Sequence, residues 1–262
     1  MNNLRGVYII WYRDMLRFWR DKMRLAGSII LPLLFLFVFG SGLSGMMGVL
    51  GPGVNFAQFI FPGIIGMTVL MSSFMAGVSV VWDREFGFLK EVLVAPINRA
   101  SVAVGKTLGA ATVALIQGTI ILLFAPLIGV SLSPGTVLVL LPLMFLLAIA
   151  VGSFGVLLAT RIRTMEAFQA VMQMLLFPMI FLSGVFFPLQ GVPAWMSILA
   201  KINPATYGIA TIRQVILGAS PGSPFGITLL GHTMSLWNNV SVLAVFGAVM
   251  ILLAMWSFSR QD

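Results

Sequence analysis

The apolar positions of this chain gather into long runs, broken by short clusters of charge, glycine and proline. The runs fall at about 27–46, 58–82, 102–130, 136–160, 168–187 and 237–258. Each can carry a helix across about 30 Å of hydrocarbon, which takes roughly 20 residues. The pattern predicts an all-α membrane protein with six transmembrane helices, folded as one transmembrane domain over residues 1–262.

Two segments depart from that pattern. In 4–24, Leu4, Val7, Tyr8, Trp11, Met15 and Phe18 fall on one side of a helical wheel, and Arg13, Arg17, Arg20 and Arg24 on the other. Such a helix lies in the membrane interface, with rings at the headgroup boundary and arginines towards water and anionic lipid. Lys22 sits off the polar face and is expected to snorkel. The external segment 188–235 holds too much Pro and Gly to span. Its apolar stretches at 195–200 and 207–217 predict short helices on, or dipping into, the outer leaflet. Broken backbone at that depth has to pack against protein.

Composition removes the option of a soluble fold. The chain is 60% hydrophobic and 8% charged, with a mean hydropathy of +1.07, whereas soluble domains carry about 25% charged residues. The net charge of +8 matters through its distribution. Basic residues cluster in 4–24, after the second run, after the fourth, and at the C-terminus; only Lys201 and Arg213 lie elsewhere. The positive-inside rule then places both termini on the cytoplasmic side and 188–235 outside; a prokaryotic inner membrane is the expected location. Basic groups beside apolar runs also point to a lipid surface and not to nucleic acid. Cysteine is absent, which excludes disulfides and thiol chemistry. The basic, aromatic N-terminal segment is not a cleavable signal, so the first run is expected to stay in the membrane.

Candidate chemistry is sparse. Residues 100–107 end in the Gly-Lys-Thr of a phosphate-binding loop, but Ala100 stands where the first glycine belongs. That loop needs a buried strand before it, so the expectation is that Lys106 reaches back to the headgroups and binds no nucleotide. His232 is the sole histidine and has no carboxylate nearby in sequence; no metal site and no catalytic residue is assigned. Asn239 opens a glycosylation sequon that falls inside the last run. Asp14, Asp21, Asp83, Glu85, Glu91, Glu166 and Asp262 all lie outside the runs or at their edges. Ion-driven carriers normally hold an ionisable group in mid-membrane, so energy for uphill transport would arrive from another chain. The polar groups inside the runs are amides and hydroxyls, Thr68 among them. Ser72, Ser73, Gln117, Gln169 and Gln173 are candidates for a substrate path, set against ordinary helix–helix hydrogen bonding. Gly105 and Gly109, four apart, allow close helix contact.

The loop 83–101 carries the most information. An apolar set, Phe86, Leu89, Val92 and Leu93, is interrupted at Pro96 and flanked by charges of both signs. It reads either as a membrane-surface connector or as a helix that inserts its apolar side into a groove on a soluble partner.

That loop resembles the matching segment of ABC-2-type exporter permeases through Glu85, Gly87, Leu89, Glu91, Leu93, Pro96, Arg99, Gly105 and Lys106. A second block, Phe181 to Pro188 with Pro193 and Trp195, and a third, Asn203-Pro204-Ala205-Thr206-Tyr207 with Arg213, follow in the same order. The likeness is greatest to the daunorubicin-resistance branch; Phe86 and Phe88 depart from its more polar pattern. The resemblance implies a permease that moves an amphipathic drug, lipid or lipid-linked glycan outward. It implies two copies of a separate ATP-binding subunit, with ATP and magnesium on that partner and no cofactor on this chain. A second permease, as a homodimer, and membrane lipid complete the partners. Asp83 and the helix 85–94 would couple to the ATP-binding subunit, with 13–24 lying nearby. Pro188, Trp195, Asn203, Pro204, Tyr207 and Arg213 would form the outer gate. A lipid-modifying membrane enzyme and an ion-coupled carrier are the competing readings; the first lacks clustered acids or histidines, the second a carboxylate in mid-membrane.

Overall fold

A computed structural model describes residues 3–42, 56–87, 98–218, 228–229 and 232–260. The helices are α1 (Asn3–Arg20), α2 (Lys22–Gly42), α3 (Phe56–Glu85), α4 (Arg99–Leu122), α5 (Pro134–Arg161), α6 (Met165–Phe181), α7 (Ala194–Ile202), α8 (Pro204–Leu217) and α9 (Leu236–Ser259). A small antiparallel hairpin pairs β1 (Thr228–Leu229) with β2 (His232–Thr233). Four helices, α3, α4, α5 and α9, are long and apolar enough to cross a bilayer. The α1–α2 pair, bent by 70°, is a fifth candidate, and α6 is a shorter apolar helix. This is an integral membrane protein built from helices.

Local sequence explains where the helices begin. Asn98, Ser133, Thr164, Asn203 and Ser235 each stand just before a helix and accept a hydrogen bond from its first turn. These are the residue types that satisfy orphan N–H groups. Pro134 and Pro204 follow two of these caps, where a missing N–H costs nothing. Gly218 closes α8 in the left-handed conformation, at φ 61°.

The bundle is organised around α3, which packs on α2, α4, α5, α6 and α8. Its closest approach is to α5. A Cβ on Gly77 would strike the Gly155 carbonyl and the Phe168 ring, and one on Gly155 would lie 3.0 Å from the Phe74 carbonyl. In a membrane, where apolar lipid gives helices no solvent drive to associate, such backbone contact is a main source of cohesion. α9 covers α4, α5 and α8 from the other side.

Four details correct the sequence reading. First, α1 ends at Arg20, so Arg24 belongs to α2 and not to the interfacial helix. Secondly, α1 is rolled relative to the expected wheel. Gly6, Ile10, Met15 and Phe18 are buried, while Leu4 and Tyr8 are exposed. The helix packs along α4, where a Cβ on Gly105 would lie 2.9 Å from Ile10 and one on Gly109 3.1 Å from Asp14. The glycine pair thus serves α1, and Trp11 donates from Nε1 to Thr112 at 3.0 Å. Thirdly, the run at 102–130 is not one helix. α4 stops at Leu122 and a 3-10 turn follows at Ala125–Ile128, because Pro126 breaks the ladder and Gly129 turns the chain at φ 73°. Fourthly, α6 begins three residues before the expected 168, at its Thr164 cap, and stops at Phe181, short of 187. Turns then lead through Gly184, at φ 78°.

Candidate functional site

One end of the bundle is dense in charge, and it is built around three consecutive residues at the close of α3. Asp83 accepts from Lys106 Nζ at 2.6 Å and is also paired with Arg13. Arg84 donates to the carbonyls of Ala159 and Ile162, both at 2.8 Å. These are carbonyls at the C-terminus of α5, where a cation is favoured by the helix dipole. Glu85 accepts from the Met165 N–H at 3.1 Å, the first turn of α6, where an anion is favoured. Asp83-Arg84-Glu85 therefore binds α1 with α4, then α5, then α6. Three adjacent side chains on a helix point about 100° apart, which is what lets them reach three neighbours.

Lys106 is the centre of the first of these links. Its ammonium meets Asp83 at 2.6 Å, Asp14 at 3.2 Å and the Ser79 hydroxyl at 2.6 Å, and its side chain is 1% exposed. Two carboxylates, one ammonium and the Arg13 guanidinium leave the buried group neutral. The expectation that Lys106 snorkels to headgroups is wrong: the acids that hold it come from α1 and α3, far away in sequence. Residues 100–107 are helical, not a phosphate loop. Asp14, in sequence only one of the acids outside the apolar runs, is here a partner of Lys106. Its only sequence signal is being an acid between Arg13 and Arg17 on α1.

Of the expected coupling residues, Asp83, Glu85, Phe86 and Gly87 are described; Leu89, Glu91, Leu93 and Pro96 lie outside the described residues. Phe86 is exposed and stacks on Trp82, with ring centroids 4.7 Å apart. Gly87 turns the chain off α3 at φ 79°. On α1, Arg13 joins the buried ion group, Arg17 lies over the Trp82 ring at 5.2 Å, and Arg20 is exposed.

The proposed path residues do not converge. Ser72 and Gln117 line a cavity of about 260 Å³ between α2, α3 and α4. Gln117 donates there to Ser28 at 2.8 Å. Ser73 is buried elsewhere and bonds back to the Leu70 carbonyl. Gln169 and Gln173 are exposed on the outer face of α6.

At the far end, α8 is seated in the bundle against α3, α5 and α9, and α7 lies beside it, largely exposed. Asn203 caps α8 through Ala205 N–H at 3.0 Å and donates to the Met179 carbonyl at 2.7 Å, tying α8 to α6. Tyr207 donates to the Lys201 carbonyl at 2.6 Å, holding α8 against α7. Arg213 is buried, donates to the Gly184 carbonyl at 2.6 Å and lies 4.3 Å above the Phe59 ring. Its Nε has no hydrogen-bond partner among the described residues. Pro204 opens α8, Pro188 is half-buried in the turn after α6, and Trp195 is exposed on α7. Asn203 and Arg213 thus tie α8 to the end of α6 and the turn after it, and Tyr207 ties it to α7, whereas Trp195 is exposed.

Comparison with known proteins bears on this arrangement. The profile of a family described as ABC-2 type transporter matches residues 5–217. A putative transport permease, ycf38, of Cyanophora paradoxa is 30% identical over 256 residues, covering 95% of this chain and 88% of its own length. Nodulation protein J of Rhizobium meliloti (strain 1021) is 27% identical over 215 residues, 80% of each chain. The probable multidrug ABC transporter permease YbhR of Escherichia coli (strain K12) is 26% identical over 167 residues, 63% of this chain and 45% of that one.

Proposed function

The chain belongs to the ABC-2 type transporter family and is the permease subunit of an ABC exporter; on that premise we propose how it is coupled to its ATP-binding partner. Permeases of this family work with ATP-binding subunits. We place that partner at the charged end, on the coupling loop 83–101, whose described residues include Asp83, Glu85, Phe86 and Gly87. The observation that carries this reading is the tether at Asp83-Arg84-Glu85. A displacement of the segment that follows it would reach α1, α4, α5 and α6 together.

The charged end then faces the cytoplasm and both termini lie inside. Six spans, α2, α3, α4, α5, α6 and α9, cross the inner membrane, and α1 lies along its surface. Two ATP-binding subunits serve a permease dimer, with ATP and magnesium held by the partner. The exposed amides of Gln169 and Gln173 suit a second copy better than lipid, because an amide in hydrocarbon needs a partner. α8, held by Asn203 and Arg213, forms the outer gate. The cargo is amphipathic.

Two variants test the coupling: Glu85→Lys and Leu89→Asp in the co-purified complex. Each is expected to lower cargo-stimulated ATP turnover while the complex still elutes as one species. Wild-type turnover and transport in both would overturn the placement. The permease purified alone is expected to show no ATPase activity, and robust hydrolysis by it would defeat the division of labour. Orientation is checked by single cysteines, which a chain with Cys 0 accepts without background. Position 5 should label from the cytoplasmic side and position 190 from the opposite one.

A further inference from the structure

The two cavities beside α3 are neighbours, and a third cleft adjoins them. The apolar cavity of about 260 Å³, lined by Leu31, Pro32, Met71 and Met75, shares Ser72 and Met75 with a second of about 300 Å³. That second one runs under the α1–α2 bend to Asp14, Arg17, Asp21 and Trp82. It in turn shares Arg17 and Asp21 with an open cleft of about 530 Å³ that also holds Arg13 and Arg20. Small residues leave this space: Ala76, Ser79, Gly109 and Ala110 wall the middle section. The order along the crevice is therefore apolar, mixed, basic.

Charge decides the head of the occupant. Arg13 and Lys106 are matched by Asp14 and Asp83 within the buried ion group. That leaves Arg17 and Arg20 against Asp21 at the mouth, an excess of one positive charge. Arg17 and Arg20 are three apart on α1 and both exposed, so they share a face and can grip one anion between them. The inner cavity has room for an alkyl chain and little to offer a charge, since the Ser28 and Thr68 hydroxyls are donated to backbone carbonyls.

We propose that this crevice binds a phosphodiester-headed lipid. Its phosphate sits at Arg17 and Arg20, and one acyl chain passes under the α1–α2 bend into the cavity at Met71 and Met75. The site goes beyond the exporter reading and does not depend on it, because binding is read on the permease alone.

The test is native mass spectrometry of the purified full chain, released from micelles doped with phosphatidylglycerol, phosphatidylethanolamine or diacylglycerol. The wild type should retain one equivalent of either phospholipid and no diacylglycerol. Arg17→Gln with Arg20→Gln should weaken retention by about five-fold per arginine lost, the usual worth of one basic side chain at a lipid surface. Ser72→Leu, which fills the junction of the two cavities, should weaken it through the tail. Arg161→Gln removes a charge from the same end of the bundle, away from the crevice, and should change nothing. Equal retention of all three lipids, or the same retention in all four proteins, would mean ordinary annular lipid and would overturn the proposal. Capture of free glycerol phosphate as tightly as phospholipid would overturn the claim that the tail is bound. Melting temperatures of the variants, read by tryptophan fluorescence, confirm that each compared protein is folded. Wild-type turnover and transport in Glu85→Lys and Leu89→Asp, together with normal lipid retention, would defeat the coupling reading alone.

Discussion

Replacing Lys106 by Met removes the ammonium and keeps most of the stem. What remains is Asp14 and Asp83 facing each other, with Arg13 as the one cation paired with them among the described residues. The ammonium sits 2.6 Å and 3.2 Å from the two carboxylates, and all three side chains are at most 13% exposed. Deleting one member of a buried ion group leaves an uncompensated charge and costs about 3–5 kcal/mol. At roughly 2–4 °C per kcal/mol for a chain of this size, the melting temperature should fall by about 6–20 °C. Absence of cysteine rules out thiol-reactive dyes, but the 6 tryptophans allow a label-free fluorescence melt. Asp83→Asn in the Lys106→Met background removes the surplus negative charge, so the double variant should melt above the Lys106→Met single. Coupling between contacting residues of this kind runs from about 0.5 to 3 kcal/mol. A Lys106→Met protein as stable as wild type would refute this account. So would a double variant whose loss is the sum of the singles.

Three smaller outcomes follow from the same geometry. Because the ion group is buried, its contribution should survive high salt, and the wild-type melting temperature should shift little between 0.1 and 1 M salt, set against Debye lengths of about 10 and 3 Å. Gly105→Leu forces a side chain against Ile10 and the Val7 carbonyl; overpacking of about 1–3 kcal/mol should lift α1 from α4 and expose α1 to limited proteolysis before the rest of the chain. Asn203→Ala loses the α8 cap, worth about 1 kcal/mol, and the bond to Met179, and should open hydrogen exchange at the start of α8 while leaving the charged end protected.

Much of this was legible beforehand, for identifiable reasons. Hydropathy found the helices because lipid demands long apolar runs, and caps such as Ser133 and Asn203 mark boundaries locally. The short helices at 194–202 and 204–217 came from the same logic. The roll of α1 was hidden because a wheel ranks polarity and not neighbours. Ile10 is buried against Gly105, a residue a wheel of α1 does not contain. Lys106 was misread for a related reason: snorkelling is the correct default for a lone cation near a helix end, and its acids are supplied by helices distant in sequence. The early stop of α4 was visible in Pro126, whose effect a simple hydropathy run conceals. Gln169 and Gln173, candidates for a substrate path, are four apart and share a face, yet that face looks outward, and periodicity alone does not say which side of a helix is the inside.

The three adjacent anchors at the end of α3 also say where the molecule is free to bend. Asp83, Arg84 and Glu85 lash four other helices to a single knot, so at this end none of those four yields on its own. At the opposite end α8 packs on α3, α5 and α9, and the Asn203 and Arg213 bonds join it to the C-terminal part of α6 and the turn after it. A bundle knotted at one end and latched at the other behaves like a clothes-peg. Force applied at the knot would be felt as a change of gap at the tips, and breaking the latch at Arg213 would be the step that sets its size.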